Sequence, residues 1–338
     1  MAAAHDLDAV LAQAADWLAD GRAVALATVV RTWGSSPRPA GSKLAVNDRG
    51  AFVGSVSGGC IEGAVITEAL EVMHAGAPRL LSFGVSDETA WEVGLACGGK
   101  VEVVVEAVTR DDGAPAAWTA SLLAAVREAR AAGRPVALLT WLHGGGHRLV
   151  EAEGAPPAVA RALRSDQAAV EDLDGDEVLI EPHNPPLRLV LVGAVHIAAP
   201  LAEMATLAGF AVTIVDPRRA FATAARFPGR ALVVAWPDVA LAGLRPDART
   251  AIVTLTHDPK LDDPALHAAV ATPAFYVGCL GSAKTHAARR ERLAAAGLGD
   301  DALARLRGPV GLRIGARTPA EIAVSILGEI IATLRGAT

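Results

Sequence analysis

Cysteine is scarce. The 338 residues hold three, Cys60, Cys97 and Cys279, far apart and with no CxxC pair. That spacing excludes a zinc ribbon and a thioredoxin-type motif. There is no basic block and no RNA-binding aromatic motif; both charge signs are scattered and sum to −6. A nucleic-acid partner is therefore not expected. No uninterrupted apolar run approaches the roughly 18 residues needed to span a bilayer. The opening MAAAHDLDAV carries two acids where a signal peptide would have a positive region. The expectation is a cytoplasmic chain with no membrane insertion. GxxxxGK and GxSxG are also absent, which removes a Walker loop and a serine nucleophile elbow.

What is there reads as a globular protein: 52% hydrophobic and 20% charged residues, in a length that allows two domains. The first half mixes periods. HDLDAVLAQAADWLADGR puts Leu7, Val10, Leu11, Ala14, Trp17 and Leu18 on one helical face, with Gly21 as its stop. VALATVV (24–30) and KVEVVVEAV (100–108) read as strands, and SKLAVNDRGAFVGSV as a hairpin turning at Asn47 to Gly50. The expected division is an α+β domain over 1–110, a linker helix and strand extension over 111–185, and a third region over 186–338. The break falls at NPPLR (184–188), where two prolines precede a new pattern.

From Leu187 onward, near-continuous apolar runs alternate with helical segments: LRLVLVG, AVTIVD, ALVVAWP, TAIVTLTHD and AFYVG. Strands buried on both faces have this composition, so the pattern predicts a Rossmann-like, doubly wound parallel sheet. TPAEIAVSILGEIIATLRG predicts a closing helix, with Thr318 and Glu321 as a capping box around Pro319.

Candidate site residues fall at two kinds of joint. GSVSGGCIEGAV (54–65) places Cys60 between an expected strand and helix. In the first turn of that helix a thiol would feel amide dipoles, and its pKa is expected below the usual value of roughly 8.5. Ser57, Gly58 and Gly59 frame it, with the glycine amides free to meet a ligand and Glu62 near enough to serve as base or proton acceptor. The alternative is a small buried residue at a tight turn. Cys97, in CGGKVEVVVE, repeats the theme, with core filling as its alternative. Cys279 follows a buried strand and reads as core. His143 and His147 in HGGGH read as loop residues.

The second joint is LRLVLVGAVHIAAPLAEMATLAGFAVTIVD. Gly193 stands where GxGxxG begins, and Asp216 ends the next strand, where an acid ordinarily bonds ribose hydroxyls. Val195 replaces the middle glycine and would stand in the path of a pyrophosphate. His196, Arg218, His257 with Asp258, and the short loop of Gly281, Ser282 and Lys284 follow neighbouring strands. If the strand order is 3-2-1-4-5, they share one crevice suited to phosphate. The alternatives are turn and strand-end residues for Gly193 and Asp216, an uncharged core or surface histidine for His196, a helix-capping turn for His257 and Asp258, and an ordinary helix cap for the Gly281 loop.

Taken in order, GSVSGGCIEGAV, CGGKVEVVVE, LVLVGAVHIA, VTIVDPR with FATAARFP, VTLTHD, YVGCLGSAKTHAARRERL and IGARTPAEIAVSILGEII resemble the XdhC/CoxI family of xanthine dehydrogenase accessory factors. The matches span about residues 24 to 333, apart from the linker and the 140–175 region. The resemblance implies a chaperone that binds molybdenum cofactor, supports its sulfuration by a cysteine desulfurase and delivers it to a molybdenum hydroxylase. It implies Cys60 as a molybdenum contact, the 58–59 amides as partners of an oxo or sulfido ligand, and the second joint as holder of the phosphate or dinucleotide end. A homodimer with both domains around one site is the expected assembly. The SGGC form leans toward a dinucleotide cofactor. The rival readings are an NAD(P)-dependent oxidoreductase using Cys60 as nucleophile, and a regulatory nucleotide-binding scaffold.

Overall fold

The fold is described from a computed structural model, for residues 3–34, 38–84, 99–110, 118–143 and 146–337, and without side chains for 3–6. The chain divides into two compact units, Ala3–Pro185 and Pro186–Thr338. Among the described residues no helix is long and apolar enough to cross a membrane.

The amino-terminal unit begins with α1 (Ala3–Ala19), β1 (Val24–Trp33), β2 (Lys43–Asn47), β3 (Phe52–Gly54), α2 (Glu62–Ala75), β4 (Arg79–Phe83) and β5 (Lys100–Thr109). It continues with β6 (Trp118–Thr119), α3 (Ala120–Ala131), β7 (Val136–Trp141), β8 (His147–Glu151), α4 (Pro157–Ser165), β9 (Ala169–Leu173) and β10 (Asp176–His183). The first sheet has the order β3-β2-β1-β5-β4, with β6 paired to β5, and the second the order β8-β7-β10-β9. The expected hairpin forms between β2 and β3: the Asn47 side chain accepts from the Arg49 and Ala51 amides, which closes the turn.

One face of the first sheet takes α2. Ala25, Ala27, Val29, Val101, Val103 and Val105 meet Ile61, Val65, Ala69 and Val72, spaced by a helical turn. The other face is partly polar, and it is buried at Thr28, Lys43 and Glu106. Lys43 Nζ lies 2.8 Å from Glu181 Oε1 and donates to Thr28 Oγ1 at 2.8 Å, with side-chain exposures of 0% for Lys43 and 4% for Glu181. His147 bridges Glu106 Oε1 and Thr140 Oγ1, each at 3.0 Å, and its ring stands 5.3 Å from that of Trp118. These pairs tie β1, β2 and β5 of one sheet to β7, β8 and β10 of the other. Removing one partner of such a buried pair costs about 3–5 kcal/mol, because the other charge stays desolvated. His147, expected in a loop, is thus the first residue of β8, with its side chain buried. His143 is exposed and pairs with Glu177.

The carboxyl-terminal unit runs β11 (Arg188–Val192), α5 (Ala198–Leu207), β12 (Ala211–Val215), β13 (Ala231–Val233), α6 (Pro237–Leu244), β14 (Thr250–Thr254), α7 (Pro259–Val270) and β15 (Tyr276–Cys279). It ends with α8 (Ala283–Ala295), α9 (Asp300–Ala304), β16 (Leu306–Arg307) and α10 (Pro319–Leu334). The sheet is parallel, in the order β13-β12-β11-β14-β15-β16. Apolar clusters cover both faces, one with α5 and α10, the other with α6 and α7. This is the doubly wound Rossmann arrangement that the continuous apolar strands predict. Thr318 and Glu321 form the capping box of α10. Cys279 is fully buried in the second cluster, where burial pushes its thiol up to about 11.

His183 at the end of β10 is 1% exposed, and neither ring nitrogen has a hydrogen-bond partner among the described residues. Burial, then the charges of Lys43 and Arg130, hold its pKa well below 6.5. The folded ring stays neutral where the unfolded one takes a proton, so stability is lost as the pH falls below about 6.5. In His183→Leu that part of the acid dependence is expected to vanish; equal slopes of unfolding free energy against pH between 6.5 and 5 in both proteins would contradict it.

Candidate functional site

The SGGC turn is built around a carboxylate. Glu62 opens α2, and its side chain folds back into the preceding loop. Oε1 accepts from the Val56, Ser57 and Gly58 amides at 3.1, 2.9 and 3.2 Å and from Ser55 Oγ at 2.6 Å. Oε2 accepts from the Gly59 amide at 2.9 Å and from Ser57 Oγ at 2.6 Å. Ser57 Oγ in turn accepts from the Cys60 and Ile61 amides at 2.9 and 3.0 Å. Gly58 and Gly59 have φ of 86° and 121°, which lets successive amides converge on one side.

Three expectations change. The 58–59 amides do not face a ligand, because Glu62 and Ser55 already accept from them. Glu62 is no base near neutral pH: burial works to raise its pKa, but the Ser55 and Ser57 hydroxyls and the Ser57 amide outweigh it and lower the pKa to about 2. Cys60 lies before the helix rather than in its first turn, since α2 starts at Glu62 with Ile61 as N-cap. Cys60 itself is exposed, beside exposed Gly58 and Gly59. The alternative of a buried filler therefore does not hold. Cys97 lies outside the described residues.

The carboxyl edge of the parallel sheet carries the second set. Gly193 follows β11 with φ 108°, and a Cβ there would come within 2.4 Å of Thr256 Cγ2. Glycine is required by that close approach of two strand ends. Asp216 follows β12, is fully buried, and accepts from the Ala194 amide at 2.8 Å. It also accepts from Arg218 through the amide and Nε, both at 2.9 Å, and Nη2 at 2.7 Å. Burial would raise its pKa, but Arg218 and the amides prevail and hold it below the usual carboxylate value. Both oxygens are thus engaged by protein donors, where the sequence points to ribose hydroxyls. The Arg218 guanidinium in turn lies over the Phe221 ring at 4.1 Å. Val195 does not simply block the turn: half-buried, it packs against the apolar cluster of α5 and α10.

His196 and His257 are exposed at the ends of β11 and β14, His257 with φ 62°. Asp258 caps α7 by accepting from the Lys260 amide, and Ser282 caps α8 by accepting from the Thr285 amide. Lys284 is exposed in the first turn of α8. The parallel register places these turns, with Gly281, along one edge of the sheet. Three participants were not anticipated. Ser55 holds Glu62, while Thr256 and Arg289 hold the buried Asp262 at 2.6 and 3.2 Å. Arg289 had a readable signal, since it stands four residues before the buried Leu293 on one face of α8.

A Rossmann unit with its turns gathered at the carboxyl edge of the sheet, joined in one chain to an α+β unit presenting a cysteine on a glycine turn, defines a class of two-unit α/β proteins. The sequence falls within one such family. The XdhC and CoxI family model matches residues 17–84, and that of the XdhC Rossmann domain matches residues 189–330. The chain belongs to the XdhC/CoxI family. It is 28% identical over 326 residues to a probable xanthine dehydrogenase subunit of Bacillus subtilis (strain 168), covering 94% of each chain. It is 29% identical over 323 residues to the molybdenum cofactor insertion chaperone PaoD of Escherichia coli (strain K12), covering 95% of this chain and 86% of that one. A crystal structure of a xanthine dehydrogenase from Bacillus halodurans superposes with a TM-score of 0.75 at 25% identity, covering 100% of this chain and 97% of that one.

Replacing Glu62 by Ala would leave the Val56, Ser57 and Gly59 amides and two serine hydroxyls without their acceptor, while the Gly58 amide keeps Ser55 Oγ. A loss of about 2 kcal/mol or more is expected, with faster amide exchange at residues 56, 57 and 59. Unchanged exchange at those amides would contradict the role given to the carboxylate.

Proposed function

We propose that the protein is a carrier that binds molybdenum cofactor, supports its sulfuration and inserts it into a molybdenum hydroxylase of the xanthine, aldehyde or CO dehydrogenase type. The observation that carries this reading is the exposed Cys60 thiol at the tip of a loop braced by Glu62. A soft sulfur ligand suits a molybdenum centre, and a braced loop presents it without having to be ordered on binding. Kinship with a protein named a molybdenum cofactor insertion chaperone supports the same reading. The acceptor of the proton at Cys60 is not Glu62, which stays ionised inside its own loop. Cys60 acts here as a ligand and shield.

The Rossmann edge, taken by itself, offers a place for a phosphate. Arg218, Lys284 and the helix amino termini there suit a phosphate, whether of molybdopterin or of a dinucleotide form. Asp216 does not favour a nicotinamide dinucleotide, because a ribose diol would have to displace Arg218. The reading includes a cysteine desulfurase as sulfur donor, a cytoplasmic setting and a homodimer, and it makes the chain a chaperone in place of an oxidoreductase.

The test is purification from a molybdenum-sufficient host, mass spectrometry of bound pterin, and activation of a cofactor-free hydroxylase. Wild-type protein is expected to carry a pterin with molybdenum and to raise hydroxylase activity. Cys60→Ala is expected to lose most of both, by about tenfold or more. Equal loading and activation by Cys60→Ala would overturn the assignment. Tight NADH binding with turnover, and no pterin, would overturn the carrier reading itself.

A further inference from the structure

Beneath the turn joining β15 to α8 lies a cation with unfilled hydrogen-bonding capacity. Arg289 stands two turns into α8 and is 1% exposed. Its side chain returns toward the amino end of the helix, the direction in which helical side chains lean. Nη2 donates to the Leu280 carbonyl at 3.0 Å and to Asp262 Oδ2 at 3.2 Å. Nε and Nη1, both buried, have no oxygen or nitrogen partner among the described residues. The Cys279 thiol is a side-chain hydrogen-bond partner of Arg289, but as a neutral sulfur it is only a weak acceptor. Nη1 lies 3.6 Å from the point a Cβ on Gly281 would occupy, so the guanidinium directly underlies the turn.

A guanidinium keeps its charge at any pH a protein survives. Buried N–H groups are nearly always paired in native structures, and buried donors of a charged group left with no more than a neutral thiol call for a stronger partner. The turn above supplies converging donors. Ala283 and Lys284 are the first two residues of α8, whose amides no helical carbonyl can reach. The Ser282 and Thr285 hydroxyls lie 2.9 Å apart at the same end, and the Lys284 ammonium is exposed beside them. Gly281 adds no side chain over Arg289, and the atoms nearest the point its Cβ would take are the side-chain carbons of Thr285 at 3.3 Å. Such a set, with a buried fixed cation, mobile outer cation, hydroxyls and amides, matches a tetrahedral oxyanion better than a neutral diol or a carboxamide.

We propose that the Gly281–Lys284 turn and Arg289 form a subsite for a phosphate monoester, with Arg289 as its buried cation. The subsite stands on its own geometry; that the phosphate belongs to a pterin cargo rests on the carrier reading above.

Isothermal titration of the full chain with inorganic phosphate at low ionic strength tests it. Saturable binding is expected, weakened about tenfold or more in Arg289→Gln and also weakened in Lys284→Glu. A nucleoside monophosphate serves as the second probe: affinity no greater than that of phosphate assigns the subsite to the phosphate group alone, and tighter binding equally abolished by Arg289→Gln assigns it to a nucleotide phosphate. No saturable phosphate binding by wild-type protein, or undiminished binding by folded Arg289→Gln, overturns the proposal. If circular dichroism shows Arg289→Gln to be unfolded, Lys284→Glu, a surface change, decides: undiminished binding there overturns it. A chain that loads pterin yet ignores phosphate sinks the subsite alone, and one that binds phosphate yet never loads pterin sinks the carrier reading alone.

Discussion

One carboxylate organises the amino-terminal loop. Glu62 receives four main-chain amides and two serine hydroxyls, and so fills from within the anion-binding nest that a glycine-rich turn creates. A backbone concavity of this kind would otherwise attract solvent ions or a ligand's oxygen. Filled, it becomes a rigid mount. The consequence for Cys60 is direct: its own amide and that of Ile61 are tied to Ser57, that of Gly59 is tied to Glu62, and Cys60 itself is exposed. The loop offers a sulfur rather than a row of amide donors.

The carboxyl-terminal unit uses the same device. Asp216 holds the turn after β11 through the Ala194 amide and holds Arg218 through three hydrogen bonds. A buried acid that would serve ribose in a nucleotide enzyme here braces a neighbouring cation against the Phe221 ring. Both joints that look like ligand sites in the sequence are therefore partly satisfied by their own acids. What remains for a ligand is one thiol in one unit and unfilled cationic and amide donors in the other.

The Rossmann sheet was legible because each strand is a short apolar run with turn residues behind it, and the capping box of α10 depends on residues three apart. The glycine turn at 58–59 was legible as a turn, but its occupant was not. Local spacing cannot say whether Glu62 points out as a base or back as an acceptor, and only the closed loop decides between them. The buried face of the first sheet was hidden for a different reason. In KLAVN, alternation assigns Lys43 to solvent, whereas its partner Glu181 arrives from a second sheet 138 residues later and buries both. His147 was misread likewise, since three glycines before it point to a loop while Glu106 and Thr140 fix it as the start of β8. Long-range polar pairs leave no periodic trace, so they are the part of a fold that a single sequence conceals.

In the proposed carrier, the Cys60 thiol on its carboxylate-braced loop is the ligand to molybdenum. The most direct measurement is X-ray absorption at the molybdenum edge of the cofactor-loaded protein, compared between wild type and Cys60→Ser loaded in vitro to equal occupancy. The prediction is one more molybdenum–sulfur scatterer in the wild type, at a thiolate distance, than in the variant. Identical sulfur shells in the two proteins would contradict it.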